Sequence, residues 1–283
     1  MDYFNFINVV EINPTELCNL QCSFCPRAHG YPNQNLHMSL DTAREIRNQL
    51  DNLNYSKKVI FAGRGEPTLT KDFDKIIEIF LKDNPEYQVQ ITTNGKRIDV
   101  LKKFWNDPNF IVHYDLYTTD EAEAVRIQDA YKEYKNFKFS WKPDTGLNFD
   151  ELPIIKSTWR KKSTSSREGM TNRAGFLGEN TFDEFEDNTC SKLVYNMYID
   201  WNGNYNLCCD DWNPLILGNI FEENIEEFIN YNENLNGYRK KHFCENSREG
   251  LPACQTCNRR APVTGDDRED YMNLIKMNEM IND

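Results

Sequence analysis

Apolar and polar positions over the first 160 residues fall into short runs of two kinds. Compact apolar runs rich in β-branched and aromatic residues read as buried strands. They are Asn8–Leu17, Val59–Ala62, Tyr87–Thr93, Phe110–Tyr117 and Phe137–Lys142. Between them, apolar residues recur at helical spacing. Met38–Leu50 is one such stretch, with Ser39 placed as its N-cap. Asp72–Leu81 sets Phe73, Ile76, Ile77 and Phe80 on one face. Asp99–Trp105, Asp120–Tyr134 and a weaker Phe149–Trp159 complete the set.

Alternating strands and helices imply parallel βαβ units. Five or six units fit before residue 180, too few for a closed eight-stranded barrel. The expected fold is α/β, a partial (β/α)6 TIM-like barrel; a doubly wound sheet is the alternative on pattern alone. Ser157–Gly169 is polar and reads as a linker, and Glu179–Asn188 as acidic surface. After Cys190 the texture changes. Val194–Asp200 and Asn204–Cys208 flank Trp201-Asn202-Gly203, a hairpin signature. A short helix over Phe221–Asn230 follows, and a charged helical tail after Pro262. The expected division is a barrel over 1–185, a small β-hairpin-plus-helix domain over 186–262, and a tail over 263–283.

Composition narrows the function. The net charge of −12 disfavours nucleic acid, whose binders need basic surface. No apolar run reaches membrane-spanning length, and the first ten residues lack a signal-peptide pattern. A cytoplasmic protein is expected. There disulfides are disfavoured, so nine cysteines point to metal binding. They are unevenly placed: three at 18, 22 and 25, none in the next 164 residues, and six between 190 and 257.

Cys18, Cys22 and Cys25 form a C-x3-C-x2-C motif behind the first strand. Three thiolates can hold three irons of a cubane and leave the fourth open to an exogenous ligand, as catalytic metal sites do. Four-cysteine ferredoxin spacings differ. A zinc knuckle would need a fourth ligand, and only His29 lies close behind. In the second set, Cys190 precedes Gly203 by twelve intervening residues, Cys208 follows after four more, and Cys254-Gln-Thr-Cys257 comes later. Four such ligands suit either zinc or a [4Fe–4S] cluster.

The first motif, with aromatic Phe24 before its last cysteine, resembles that of the radical S-adenosylmethionine (SAM) superfamily. That resemblance implies a [4Fe–4S] cluster on Cys18, Cys22 and Cys25, with SAM on the open iron and cleaved to a 5′-deoxyadenosyl radical. A flavodoxin- or ferredoxin-type protein would donate the electron. Phe61–Pro67 (FAGRGEP) resembles the family's Gly-Gly-Glu-Pro segment, which contacts the SAM amino group; Gly63, Gly65, Glu66 and Pro67 match, with Arg64 between the glycines. Thr93 and Asn94 close the third strand as in many members, and Asp115 is a candidate ribose or methionine contact. Cys190–Cys257 resembles the auxiliary-cluster module SPASM, or its shortened twitch form. This implies a second [4Fe–4S] cluster on Cys190, Cys208, Cys254 and Cys257, with Cys209 and Cys244 left over.

Enzymes of this kind abstract hydrogen and pass an electron to the auxiliary cluster. The chain starts its first strand within about ten residues, without the leader-binding domain common in peptide modifiers. The leading expectation is an oxidoreductase acting on a small polar sugar, cyclitol or alcohol. A peptide-modifying enzyme is the alternative within the superfamily, and a zinc-binding interaction protein the alternative outside it. Arg173, just ahead of the first auxiliary cysteine, is the candidate catalytic residue, as a forked hydrogen-bond donor or a proton acceptor. His113, Tyr117 and Lys142 sit on strands that could face inward.

Overall fold

The computed structural model describes residues 2–22, 25–83, 85–116, 122, 126, 129, 137–141, 159–161, 171–178, 187–259 and 261–282. Six strands run in sequential order: β1 (Val9–Asn13), β2 (Lys58–Phe61), β3 (Gln88–Thr93), β4 (Phe110–Leu116), β5 (Phe137–Trp141) and β6 (Trp159–Lys161). Each pairs in parallel with the next. A doubly wound sheet reverses its strand order at a switch point. β1–β6 do not, so the partial barrel stands.

The expected weak helix ending at Trp159 is corrected at its described end. Trp159–Lys161 is a strand beside β5, inside the stretch read as a polar linker. Its alternating Trp, Arg and Lys carry no continuous apolar run, so the period-2 signal was masked. Of the helix expected over 120–134, residues 122, 126 and 129 are described, and they are helical.

Helix α1 (Leu40–Asn52) starts where Ser39 Oγ accepts the Thr42 N–H, and it buries Ala43, Ile46 and Leu50. Helix α2 (Phe73–Leu81) buries Phe73, Ile76, Ile77 and Phe80, the expected face. The segment expected to be helical at Asp99–Trp105 is a 3₁₀ turn over Ile98–Phe104. On the sheet, Val10, Ile12, Val59, Phe61, Val89, Ile91 and Val112 form the apolar row of the core. Side chains alternate across a sheet, so the other face carries Glu11, Ile60, Gln90 and Ile111, which are register partners. That lumen-side row mixes polar and apolar groups.

The sheet does not stop at β1. β7 (Asn196–Asp200) pairs with it in parallel, and β8 (Asn204–Asn206) and β9 (Ile216–Asn219) continue antiparallel. The hairpin of the second domain is therefore built onto the barrel edge, with Tyr198 in register with Glu11. A short helix α3 (Ser191–Tyr195) precedes β7; α4 (Ile225–Tyr231), α5 (Glu233–Phe243) and α6 (Asp266–Asn282) follow β9. Among the described residues no helix is long and apolar enough to cross a membrane.

Candidate functional site

β1 ends at Asn13, and the three cysteines lie in the loop beyond it. Their thiols are half-buried and form no disulfide. Asn33 clasps the loop: its Oδ1 accepts the Cys18 N–H at 2.9 Å, and its Nδ2 donates to the Cys18 carbonyl at 3.0 Å. Burial pushes the Cys18 thiol up, Glu66 adds to the rise, and Arg27 opposes it. Phe24 lies outside the described residues, as do Tyr117 and Lys142.

The Gly-rich segment after β2 sits directly on this loop. A Cβ on Gly65 would lie 2.1 Å from the Thr15 carbonyl oxygen and 2.9 Å from that of Leu17, so only glycine fits. Gly63 has φ +114°, a left-handed conformation, against the Asn13 side chain. The Glu66 N–H donates to the Leu17 carbonyl at 2.8 Å. The buried Glu66 carboxylate gathers the strand ends. Its Oε1 accepts from Thr68 N, Thr68 Oγ1 and Thr93 Oγ1 at 3.1, 2.6 and 2.7 Å; its Oε2 accepts from Asn94 N at 2.9 Å. Burial raises its pKa, and these hydrogen bonds oppose the rise. Asn94 Nδ2 donates to Asn19 Oδ1 at 2.8 Å, inside the cysteine loop. Asp115, buried at the end of β4, has Oδ1 3.5 Å from His113 Nε2. The structure thus brings Glu66, Thr93 and Asn94 together beside the Cys18 loop.

Beneath the loop lies a network that sequence reasoning missed. Glu16 is buried, with Oε1 2.8 Å from Arg64 Nε and Oε2 3.5 Å from Arg27 Nη2. Arg27 also donates to the carbonyls of Glu16, Pro32 and Arg64. The only sequence signal was a basic residue two positions after Cys25, and basic residues are usually solvated.

The second cysteine set is assembled from distant segments. Cys190 precedes α3, Cys208 follows β8, and Cys254 and Cys257 lie in turns after α5. Burial pushes the Cys208 thiol well up, with Asp210, Cys209, Cys254 and Cys190 adding to the rise. Cys254 is raised by burial and then by Cys190 and Cys257. Cys209 is pushed up to about 12 by burial, then Glu11 and Asp210, while Lys192 and Arg259 oppose. The charges of Cys190 and Cys254 thus act on Cys208, and those of Glu11, Lys192 and Arg259 on Cys209. Cys244 is exposed at the end of α5.

Arg248 clamps this set. Its guanidinium donates to the carbonyls of Asn188, Thr189, Cys257 and Arg259 at 3.2–3.5 Å. His242 Nδ1 lies 2.6 Å from the same Asn188 carbonyl, and burial holds its pKa down at about 4. The Arg259 N–H donates to Cys257 Sγ at 3.4 Å, the kind of contact that tunes cluster thiolates. Among the described residues, no three His, Cys, Asp or Glu side chains converge on one point as they would on a single ion. The donor chemistry nonetheless fits iron–sulfur clusters: three half-buried thiols outside any disulfide in one loop, and four more at Cys190, Cys208, Cys254 and Cys257.

Residues 171–178 contact both regions: the Phe176 ring meets Tyr31 at 5.7 Å, and the Asn172 N–H donates to Asn258 Oδ1 at 2.7 Å. Arg173, Ala174 and Gly175 all have positive φ, at +52°, +52° and +89°. Asn172 and Thr256 hold this left-handed turn: Asn172 Nδ2 donates to the Thr256 carbonyl at 2.5 Å, and Thr256 Oγ1 to the Ala174 carbonyl at 3.0 Å. Asp210, unforeseen from sequence, accepts from Thr171 Oγ1 at 2.9 Å and Arg173 Nη1 at 2.8 Å, and pairs with Arg259. Burial pushes the Asp210 carboxyl up, but Arg173 and Arg259 outweigh it and hold it at about 2. Burial disfavours the Arg173 cation, yet Asp210, Cys209 and Cys25 together keep its pKa raised. Arg173 therefore lies within electrostatic reach of both cysteine loops.

Comparison with known proteins agrees with this layout. Residues 12–140 match the model of the radical SAM superfamily, and residues 190–258 match SPASM, an iron–sulfur cluster-binding domain. The S-adenosyl-L-methionine-dependent 2-deoxy-scyllo-inosamine dehydrogenase of Niallia circulans is 22% identical over 267 residues, covering 94% of this chain and 98% of its own. The crystal structure of BtrN in complex with AdoMet and 2-DOIA superposes with a TM-score of 0.69 at 19% identity, over 92% of this chain and 96% of that one. Streptococcus suis SuiB bound to precursor peptide SuiA gives 0.57 at 16% identity, over 88% of this chain and 71% of its own. With SAM and iron–sulfur clusters as the cofactors these domains indicate, the chain belongs to the radical SAM superfamily as an enzyme carrying a SPASM-type auxiliary domain.

Proposed function

We propose that the chain is a two-cluster radical SAM dehydrogenase acting on a small polar, hydroxylated substrate. In this reading Cys18, Cys22 and Cys25 hold one [4Fe–4S] cluster, and Cys190, Cys208, Cys254 and Cys257 hold the other. When bound, SAM and the two clusters would supply abstraction of a hydrogen atom from a carbinol carbon and an acceptor for the remaining electron, the hydroxyl proton leaving to solvent as the carbonyl forms.

The chain's own groups have distinct tasks. Among the described residues Glu66 Oε2 accepts one N–H, from Asn94, which leaves it a lone pair for the SAM ammonium. Thr93 and Thr68 fix that carboxylate from its other oxygen. Asp115 lies at the end of β4, where it would meet the ribose. Arg173 is held cationic by Asp210, so its task is to donate hydrogen bonds to a substrate oxygen and not to accept a proton.

The observation that supports this reading is that Arg173, paired with Asp210, feels the charge of both Cys25 and Cys209. A substrate bound there would lie between both redox centres. The lumen row adds support: Glu11, Gln90 and Tyr198 give it polar character, and the Tyr198 hydroxyl lies beside Cys209. The Niallia relative, matched over nearly its full length, is by name a dehydrogenase of an aminocyclitol. The likeness to SuiB bears on the fold alone, so a peptide substrate stays second. A flavodoxin or ferredoxin in a reducing cytoplasm would supply the electron that starts the reaction.

The test is incubation of reconstituted protein with SAM, reductant and a panel of cyclitols and amino sugars deuterated at carbinol carbons. Deuterium in 5′-deoxyadenosine together with a carbonyl product is expected. Deuterium transfer from a peptide and from no cyclitol or amino sugar would replace this reading with the peptide one.

A further inference from the structure

The two cysteine loops are joined by more than the sheet. Arg27 stands two residues after Cys25, and its guanidinium reaches three backbone carbonyls besides Asn33 Oδ1 at 3.2 Å and Glu16 Oε2 at 3.5 Å. Nε and Nη2 donate to the Arg64 carbonyl at 2.9 and 2.7 Å, Nη2 to the Glu16 carbonyl at 2.6 Å, and Nη1 to the Pro32 carbonyl at 2.6 Å. Arg64 then reaches the other way. Its Nε pairs with Glu16 at 2.8 Å, and both terminal nitrogens donate to Asn206 Oδ1 at 3.2 Å. Asn206 lies on β8, two residues before Cys208.

The Asn206 amide is held there at a cost. Its Nδ2 is buried and has no hydrogen-bond partner among the described residues, so its desolvation goes uncompensated. The carbonyl end is therefore committed to Arg64. A second bridge runs alongside. The Tyr31 hydroxyl donates to Glu16 at 3.1 Å, and its ring meets Trp212, four residues past Cys208, edge-on at 4.8 Å. Gly65, with no room for a Cβ against the Thr15 carbonyl, lets the Arg64 segment pack directly on the first loop.

We infer that Arg64 is a positioning residue whose link to Asn206 sets the auxiliary ligand Cys208 against the first cysteine loop and makes the two centres one redox unit. The route is continuous: Cys25, Pro26, Arg27, then hydrogen bonds to Arg64 and Asn206, then Leu207 and Cys208. Charged hydrogen bonds in a buried, contiguous network transmit position because each partner is over-determined. Residues of this kind around metal centres act through the ligands they orient. The inference rests on both cysteine sets holding clusters.

The experiment uses anaerobically reconstituted wild type, Asn206→Leu, Asn206→Asp and Arg64→Lys. Iron content, melting temperature, the midpoint potential of the auxiliary cluster, and magnetic broadening between the reduced clusters by EPR are measured on each. Asn206→Leu should keep its iron, yet shift the potential and change the broadening. Asn206→Asp, which still accepts from Arg64, should keep the wild-type broadening, its added charge alone lowering the potential. Arg64→Lys keeps the charge but lacks the fork, and should resemble Asn206→Leu. Should Asn206→Leu fail to fold, Arg64→Lys gives the answer. A lower melting temperature with unchanged potential and broadening would reduce the link to packing and overturn the inference. Wild type that loads only one cluster would overturn both this inference and the functional reading; two clusters with unaffected variants would overturn the inference alone.

Discussion

The first cysteine loop and the second cysteine set differ in how far the chain must carry their thiols. Cys18, Cys22 and Cys25 lie in one loop, half-buried, and the fold's work is to hold that loop from below through Asn33, Arg27, Glu16 and Glu66. Cys190, Cys208, Cys254 and Cys257 span 68 residues. They are gathered by a hairpin added to the barrel edge and by Arg248, which reaches carbonyls in both arms of the site. An open three-ligand site must leave room for an exogenous group, so it suits a short loop at a strand end. A closed four-ligand site needs ligands from several directions, so it needs a domain of its own.

The largest expected effect separates the two directly. Replacing Cys18, Cys22 and Cys25 with alanine should abolish 5′-deoxyadenosine formation while the auxiliary iron remains. Any retained SAM cleavage in that variant removes the first loop from the chemistry. The reciprocal change, Cys190→Ala with Cys254→Ala, should remove roughly half the iron and leave the first cluster in place, as expected for two cubanes of equal size. Full iron retention would mean the second set holds no cluster.

A smaller effect tests the contact side of the first loop. Glu66→Gln turns an acceptor toward the Thr68, Thr93 and Asn94 donors into a group that must present N–H to one of them. SAM affinity should fall on the order of tenfold, the size of a lost charge-assisted hydrogen bond, as read by equilibrium dialysis. Unchanged affinity would leave Glu66 a purely structural cap.

The smallest effect lies on the auxiliary side. His242 is buried neutral with its pKa held at about 4, below its ordinary value of 6.5. The folded state binds fewer protons than the unfolded one between those values, so stability is intact above about pH 6.5 and lost as pH falls toward 4, by about 3 kcal/mol in full. His242→Gln, which can still donate to the Asn188 carbonyl, should flatten the fall in Tm between pH 7 and 5. An equally steep fall in the variant would place the acid sensitivity elsewhere.

This contrast also explains what the sequence disclosed. The cysteine spacing, FAGRGEP and the α2 face were legible because each is a local pattern. The site at Glu66 with Thr93 and Asn94 followed because both segments end strands, and strand ends converge in parallel sheets. Glu16, Arg27, Arg64, Asp210 and Arg248 were not legible. Each is a charged residue buried by partners far away in sequence, such as Arg64 with Asn206 and Asp210 with Arg259. Nothing local distinguishes them from solvated charges. The helix α5 (Glu233–Phe243) was missed for a related reason: its buried residues include Arg239 and His242, so its inward face does not read as apolar.

The most direct test of the central claim is anaerobic reconstitution with iron and sulfide, followed by metal counting and incubation with dithionite and SAM. About eight irons per chain, as two cubanes require, with 5′-deoxyadenosine formed, is the predicted result. A colourless protein that binds zinc and leaves SAM intact would contradict it.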